Sequence, residues 1–300
     1  MKRAVSVSLG SPARDKRVVV NMAGEQVELE RIGTGGDVQR ARALFAELDG
    51  QVDALGVGGI DLCVRLGERE YPIRSAVRLV ADVHTTPVVD GHVLKYVLER
   101  RIWELLGDRY TGPAHFHRAF MPFSIDRLGL AEAVAGRADE IVFGDLMFAL
   151  GIPIPIRGLV SMRRWARVLL PLVGYLPIST ILPPGTRGEE RKPMHTRLWD
   201  EAELLVGDMH YLYTYAPEDL RGKIVITNTT TPENIELLRE RGVRLVITTT
   251  PRYEGRSFGV NMIEAALTAV AGMGRPLTAT ELDELIDRVG LLPTVEELNP

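Results

Sequence analysis

The sequence predicts an α/β protein with an N-terminal α/β domain, followed by a Rossmann-like, doubly wound parallel-sheet domain that contains an apolar, proline-rich insertion. The chain has 300 residues and is 45% hydrophobic, which is enough for a large core and indicates two domains. In its second part, short apolar strands alternate with helical segments, the order that produces a parallel sheet with helices on both faces. Several strands end in glycine, aspartate or threonine, at the positions where such a sheet binds its ligand.

The N-terminal domain is predicted to comprise residues 1–112 and to form the substrate side of the protein. Its strands are predicted over residues 4–9, 17–21, 27–31, 52–57 and 87–91, and the first of them resemble antiparallel hairpins. Its helices are predicted over residues 37–48, 75–83 and 93–106. Asp37 follows two glycines and is expected to cap the first helix.

The second domain is predicted to comprise residues 113–278. Its strands are predicted over residues 118–124, 140–143, 203–206, 223–227 and 244–248, and its helices over residues 128–135, 232–241 and 257–271. Thr231 is expected to cap one helix and Gly242 to end it. The insertion occupies residues 149–190. The remaining residues, 279–300, contain a helix predicted over residues 279–289, which is expected to pack back on the first domain.

Composition narrows the class of protein. The net charge of −4 does not indicate a nucleic-acid partner. Cys63 is the single cysteine, which fits a reducing cytoplasm; its role is either that of a small buried hydrophobic residue or that of a catalytic thiol. The first residues alternate like a strand and lack the apolar run of a signal peptide. We therefore expect a cytoplasmic protein.

The most apolar stretch, residues 165–184, is not expected to span a membrane, because several prolines interrupt it. It is interpreted as a lid, a dimer interface or a domain-packing arm. Because arginines precede it, shallow contact with a membrane surface is a further alternative. An apolar segment of this kind is unusual on the surface of a monomer. We therefore expect a homodimer.

A nucleotide site is predicted where the strand at 118–124 gives way to a helix. The turn over residues 124–129 offers free backbone amides that can hold an anion. Asp145, about twenty residues later, is expected to bind the adenosine ribose, and an acid at that position favours NAD over NADP. The predicted cofactor-binding residues are Ser124, Asp126, Arg127, Gly129, Asp145 and Thr229. The alternative is that Ser124 and Asp126 cap the helix and that Asp145 is an acid in a turn.

Proton transfer and substrate binding are assigned to other strand ends. The predicted catalytic residues are Lys95, Asp90 and His210, and the predicted substrate-binding residues are Asp61, Thr230, Thr249 and Arg256. The alternative for Lys95 is a surface lysine on an amphipathic helix, and for His210 a loop in which Asp208 takes backbone hydrogen bonds. The threonines are otherwise ordinary strand residues, and Arg256 is otherwise a solvated surface arginine. Histidines with ligand-like spacing occur only at His115 and His117, so no metal site is predicted.

The chain also resembles the bacterial quinate 5-dehydrogenase-like proteins, distant relatives of shikimate and quinate dehydrogenases, over residues 6–11, 32–37, 58–62, 143–146 and 222–231. The resemblance implies a Rossmann-type, NAD-dependent oxidoreductase that acts on a small polyhydroxylated carboxylic acid such as quinate or shikimate. In that family a lysine and an aspartate act in a cleft between two domains, and Lys95 with Asp90 or Asp61 is the nearest match. Two other hypotheses stay open: a non-redox protein that binds a nucleotide or phosphorylated metabolite, and an S-adenosylmethionine-dependent transferase.

Overall fold

A computed structural model describes residues 1–67, 69–175, 191–250, 252–253 and 256–300. The chain divides into two compact units. Unit 1 contains residues 1–97, 168–185 and 259–290, and unit 2 contains residues 98–167, 186–258 and 291–300. The domain limits at 112 and 278 stay predictions.

The strands are named in chain order. They are β1 (Lys2–Ser8), β2 (Lys16–Met22), β3 (Glu25–Gly33), β4 (Ala54–Gly58), β5 (Cys63–Leu66), β6 (Arg69–Pro72), β7 (Val88–Val89), β8 (Phe116–Met121), β9 (Ala138–Phe143), β10 (Ile156–Arg157), β11 (Leu204–Val206), β12 (Ile224–Thr227), β13 (Leu245–Thr248), β14 (Arg252–Tyr253), β15 (Arg256–Ser257) and β16 (Thr294–Glu297).

The helices are named in the same way. They are α1 (Val38–Leu48), α2 (Arg74–Val77), α3 (His92–Arg100), α4 (Ile102–Leu106), α5 (Leu128–Ala135), α6 (Asp145–Leu150), α7 (Leu159–Val173), α8 (Thr196–Glu201), α9 (Met209–Tyr215), α10 (Pro232–Glu240), α11 (Val260–Ala271) and α12 (Ala279–Val289).

Unit 1 is built on a five-stranded sheet with the order β2-β3-β1-β4-β7. Strands β3, β1, β4 and β7 are parallel, and β2 pairs with β3 in the antiparallel direction. The predicted opening hairpin is therefore correct for β2 and β3 and wrong for β1, which pairs with β3 as a parallel neighbour. The apolar residues of β1 and β4, such as Val5 and Leu55, are fully buried, as expected for a sheet covered by helices.

Unit 2 is built on a seven-stranded sheet with the order β10-β9-β8-β11-β12-β13-β16. Its five central strands are parallel, and β10 and β16 add antiparallel edges. Counted along the chain, the parallel strands stand in the order second, first, third, fourth, fifth, which is the order of flavodoxin-type sheets. The α/β class with parallel sheets is confirmed. The strand order differs from that of the dinucleotide-binding fold, in which the third, second and first strands lie side by side.

The core of unit 2 packs around an aromatic pair. Trp199 of α8 is fully buried, and its ring centroid lies 4.9 Å from that of Phe120 in an edge-to-face arrangement. The indole Nε1 donates a hydrogen bond to the backbone carbonyl of Met194. This bond satisfies the polar atom of a buried tryptophan, as packing of this residue requires.

The apolar insertion is described only in part. It contains β10 and α7, which has Pro171 inside it, while residues 176–190 lie outside the described residues. Within the described ranges no helix has the length and apolar character to cross a bilayer. Several side chains along α7 are exposed, among them Val160, Val168 and Leu172. The predicted homodimer and cytoplasmic location stay predictions.

Candidate active site

The candidate site lies at one edge of the unit 1 sheet. Because β4 and β7 are parallel neighbours, the segments that follow them leave the sheet at the same edge, where α/β proteins place their ligands. The segment after β4 carries Asp61, Leu62 and Cys63, and the segment after β7 carries Asp90 and His92. Side chains that are separated by almost thirty positions in the sequence therefore meet.

Gly91 makes the turn from β7 into α3 possible. Its φ of +93° lies in the region that favours glycine. A Cβ at this position would also lie 2.5 Å from the backbone nitrogen of Asn261 in α11. The turn directs Asp90 and His92, on either side of the glycine, toward each other.

His92 is held between a carboxylate and a thiol. Its Nδ1 lies 2.5 Å from Oδ1 of Asp90, and its Nε2 lies 3.3 Å from Sγ of Cys63. The other oxygen of Asp90 accepts a hydrogen bond of 2.5 Å from the backbone nitrogen of Leu62, the residue before Cys63. A nucleophile, a base and an acid that orients the base thus stand in one chain of contacts, the arrangement used in covalent catalysis.

The electrostatics of this cluster favour a protonated His92. Burial by itself would lower the pKa of His92, but hydrogen bonds and charge interactions with Asp90 and Cys63 outweigh it and raise the pKa to about 11. Burial also opposes ionisation of Asp90, but the contacts with His92 lower the pKa of that carboxyl. Burial raises the pKa of Cys63, and His92 opposes this shift. The net upward shift favours the thiol form of Cys63, and the imidazolium at Nε2 is the group that opposes this shift and supports the thiolate.

A second charged pair lies beside the cluster. Nζ of Lys95, one turn after His92 in α3, lies 2.7 Å from Oδ2 of Asp61, and both side chains are largely buried. The structure thus brings Asp61, Asp90 and Lys95 to one edge of the sheet. The sequence divided these residues between substrate binding and proton transfer, and those roles stay predictions.

Glu264 of α11 supports the first turn of α3. It is almost fully buried, and its Oε2 accepts a hydrogen bond of 3.0 Å from the backbone nitrogen of Leu94. Leu94 belongs to the first turn of the helix, where backbone nitrogens have no partner within the helix. Burial raises the pKa of Glu264 to about 7. The carboxyl therefore titrates close to neutral pH.

The variant E264Q is expected to flatten the dependence of stability on pH. Because the pKa of Glu264 in the folded protein is raised above its ordinary value, its contribution is complete below pH ~4.5 and is lost as the pH rises toward 7. Glutamine keeps an acceptor for Leu94 and does not titrate. Urea unfolding at pH 5 and pH 8 measures how the free energy of unfolding depends on pH in the wild type and in E264Q.

The variant E264L is the comparison. It should lose about 1–3 kcal/mol of unfolding free energy at both pH values, because the Leu94 nitrogen is left without an acceptor. Equal unfolding free energies of E264Q and E264L would contradict the prediction.

The same cluster is the one group of metal-ligating side chains found among the described residues. One ligand atom each from Cys63, Asp90 and His92 lies within 4.8 Å of the others. Both oxygens of Asp90 are engaged, with His92 and with the Leu62 nitrogen. Oε1 of Glu70 lies 3.4 Å from Nε2 of His92. Glu70 is not a member of the group, so a cation here would be held by Cys63 and His92, with Asp90 as the third ligand or as the residue that orients the histidine.

The sequence did not show that Cys63 and His92 meet. It left Cys63 as either a buried hydrophobic residue or a catalytic thiol, and His92 was not among the predicted site residues. The usable signal was that a single cysteine and an Asp-x-His sequence both follow strands of one parallel sheet. The order of those strands, which brings β4 beside β7, is a tertiary property.

In unit 2 the predicted cofactor turn is occupied by the chain itself. Oδ1 of Asp145 accepts hydrogen bonds from the backbone nitrogens of Ser124 and Ile125, at 2.8 and 3.0 Å, and Oδ2 accepts one from Oγ of Ser124 at 2.8 Å. Asp145 is buried, and burial raises its pKa to about 6. The amides that were assigned to an anion and the acid that was assigned to a ribose therefore form hydrogen bonds with each other.

The other residues of the predicted cofactor site surround this turn. Arg127 is buried and forms an ion pair with Glu99. Nη2 of Arg127 also lies 3.6 Å from Oδ2 of Asp208. Asp126 is partly buried, and Gly129 is buried within α5. Thr229 is partly buried after β12.

The strand-end residues of unit 2 mostly serve the backbone. Asp208 accepts a hydrogen bond from the backbone nitrogen of His210 and caps α9, and the catalytic role of His210 stays a prediction. The hydroxyls of Thr248 and Thr250 donate to backbone carbonyls. The predicted substrate-binding residues Thr230 and Thr249 are buried. Arg256 lies in β15, and its side chain is outside the described part of the chain.

Comparison with known proteins places the chain in a family. A family model described as "Domain of unknown function (DUF8754)" matches residues 93–298, more than half of the chain. The chain belongs to this family. A second model, "Domain of unknown function (DUF8753)", matches residues 3–90 of this DUF8754 member. No curated protein matches it.

Three solved structures show distant similarity to this DUF8754 protein. Two are from Mycobacterium smegmatis. The first has 10% identity and a TM-score of 0.35, and the match covers 99% of this chain and 91% of the other. The second has 8% identity and a TM-score of 0.34, and the match covers 99% of both chains. The second is described as a complex with beta-D-fucofuranose. The third, a substrate-binding protein of a sugar ABC transport system from Bordetella parapertussis, has 13% identity and a TM-score of 0.37, over 93% of this chain and 82% of the other.

These findings correct the sequence-based function. The resemblance to quinate 5-dehydrogenase-like proteins is wrong, because the family models that match the chain are DUF8753 and DUF8754. The NAD(P)-dependent oxidoreductase and its NAD cofactor are wrong as well, and Asp145 gives the physical reason, since it fills the turn that was assigned to the nucleotide. The nucleotide-binding and S-adenosylmethionine alternatives depended on the same turn and acid and lose their support.

Proposed function

We propose that this protein is an enzyme that uses the thiolate of Cys63 as a nucleophile in acyl transfer or hydrolysis on a small-molecule substrate. The observation that carries the proposal is the continuous chain of contacts from Leu62 through Asp90 and His92 to Sγ of Cys63. The acid orients the histidine, and the histidine reaches the sulfur with its other nitrogen, so each member has the role that nucleophilic catalysis requires.

The proposed reaction follows from these contacts. The Cys63 thiolate attacks the carbonyl carbon of an acyl donor, and an S–C bond forms. The imidazolium of His92 gives its Nε2 proton to the leaving group as the C–O or C–N bond breaks, which leaves a thioester on Cys63 and a neutral imidazole. The imidazole then takes a proton from water or another acceptor, whose oxygen attacks the thioester and releases the acyl group. Asp90 holds the ring throughout and stabilises its charged form.

The test uses p-nitrophenyl acetate as a general acyl donor. We expect a burst of about one p-nitrophenolate per chain, with one acetyl group on Cys63 in the intact mass and in the peptide map. Cys63 is the single cysteine, so thiol acylation can be assigned to one residue. C63A should abolish the burst, H92Q should slow it, and H84Q, which changes an exposed histidine outside the cluster, should match the wild type. A burst that survives in C63A, or no acylation of the wild type, would refute the proposal.

A structural or catalytic zinc ion is the second candidate, and the proximity of three ligand atoms favours it. One ligand atom each from Cys63, Asp90 and His92 lies within 4.8 Å of the others, and zinc accepts all three ligand types. Metal analysis of the purified protein separates the two candidates. Zinc at about one per chain, lost in both C63A and H92Q, would favour the metal site. Protein that lacks zinc and still shows the acetylation burst would exclude zinc as a requirement of the reaction.

A further inference from the structure

A buried arginine in unit 2 has polar atoms that nothing in the described part of the chain satisfies. Arg241 follows α10, and its side chain is 3% exposed. Its Nη1 donates to the backbone carbonyl of Leu212 at 3.4 Å, while Nε and Nη2 are buried without a hydrogen-bond partner among the described residues. Such groups are rare in folded proteins, because leaving a buried charged donor unbonded costs free energy.

Two further donors lie in the same region. Nε of Arg191 and Oγ1 of Thr214 in α9 are also buried without a hydrogen-bond partner in the described ranges. The backbone nitrogen of Lys192 donates to the carbonyl of Thr214 at 2.7 Å, which fixes the segment that carries Arg191 against α9. Arg191 is linked to Arg241 through Glu218, which pairs with both.

The charges in this region are not balanced. Burial and the positive charge of Arg191 lower the pKa of Arg241, and Glu218 opposes this shift. Two guanidinium groups thus share one carboxylate, whose side chain is 73% exposed and whose Oε2 is 3.7 Å from Nε of Arg241. One positive charge is left over. Glu218 is too far from Nε for a hydrogen bond, so Nε and Nη2 of Arg241 have no hydrogen-bond partner in the described part of the chain.

We propose that these groups form a binding site for a tetrahedral oxyanion, with inorganic phosphate as the simplest ligand. Nε and Nη2 lie on the same edge of a guanidinium group and present two parallel N–H donors, the fork that binds two oxygens of one anion. Nε of Arg191 and Oγ1 of Thr214 are two further donors of this region without a hydrogen-bond partner among the described residues. An anion with four oxygens, such as phosphate or sulfate, can use more of these donors than a carboxylate can. The site is separate from the Cys63 cluster, which belongs to unit 1.

The experiment is a calorimetric titration of the full chain, prepared in phosphate-free buffer, with inorganic phosphate. Sulfate, acetate and chloride at equal ionic strength are the comparison ligands. We expect phosphate and sulfate to bind with one site per chain, and acetate and chloride to bind much more weakly or not at all. R241Q should weaken binding about 100-fold, because it removes two charge-assisted hydrogen bonds, and T214V should weaken it about five-fold. R221Q, which changes an arginine that is 82% exposed and paired with Asp219, should bind as the wild type does.

Three results would overturn the proposal. They are no heat of binding with phosphate or sulfate, equal effects of chloride and phosphate at matched ionic strength, and unchanged affinity in both R241Q and T214V. If R241Q does not fold, T214V decides the matter, because it replaces a hydroxyl by a methyl group of similar size. In a thermal melt, phosphate should then stabilise the wild type and R221Q more than T214V.

Discussion

Replacing His92 with glutamine is expected to slow the alkylation of Cys63 by iodoacetamide about ten-fold or more near pH 7. The reactive species is the thiolate, and burial raises the pKa of Cys63. The imidazolium at 3.3 Å is the group that counters this effect. A rise of one unit in the pKa of the thiol removes about nine-tenths of the thiolate at a pH well below that pKa. D90N should act in the same direction, because it removes the carboxylate that keeps His92 charged.

The measurement is the rate of mass gain as a function of pH, and every label reports on Cys63. The wild type should show an inflection at lower pH than H92Q and D90N, and H84Q should follow the wild type. In denaturant all four proteins should react at the same rate, which separates a local effect on the thiol from a global one. If H92Q reacts as fast as the wild type across the pH range, His92 does not activate Cys63. If a chelator accelerates labelling of the wild type, a bound metal protects the thiol.

The parts of the fold that are determined locally could be predicted from the sequence. Helix α12 has the predicted limits, and its Thr278 forms a capping box with Glu281. Asp37 and Thr231 cap α1 and α10 as expected. These features depend on residues within one or two helical turns, so periodicity and capping chemistry are enough to place them.

The parts that depend on distant partners could not be predicted. The hairpin of β5 and β6 alternates little and is partly charged, so its sequence gives no clear strand signal. The edge strand β16 is mostly polar and is specified by pairing with β13. That β1 pairs with β3 rather than with β2 is likewise decided by the sheet as a whole.

The candidate site shows the same division. Asp61, Asp90 and Lys95 were expected near strand ends, and they are there. The contact between Cys63 and His92 depends on which strands are neighbours. Asp145 was misinterpreted because an acid about twenty residues after a turn has the same spacing whether it binds a ribose or the turn itself. Only the hydrogen bonds of the acid distinguish a ribose-binding residue from one that binds its own turn.

Replacing Asp145 is expected to have the largest effect on stability among unit 2 variants, and the effect should depend strongly on the substituent. D145A leaves three donors without their acceptor: the buried nitrogen and hydroxyl of Ser124 and the partly buried nitrogen of Ile125. We expect a loss of about 2–4 kcal/mol in the free energy of unfolding of this unit. D145N keeps an oxygen for the two nitrogens and should lose less than about 1 kcal/mol at pH 7.

The dependence on pH separates the charge of Asp145 from its hydrogen bonds. Because the pKa in the folded protein is raised to about 6, the unfolded chain releases this proton first, and the contribution to stability falls as the pH rises from about 4 to 6. D145N cannot titrate, so the difference in unfolding free energy between it and the wild type should shift in favour of D145N over that interval. Urea unfolding at pH 4.5, 6 and 7.5 measures the difference. A difference that is independent of pH would mean that Asp145 is ionised throughout, and the turn would then hold a full negative charge that excludes any anionic ligand.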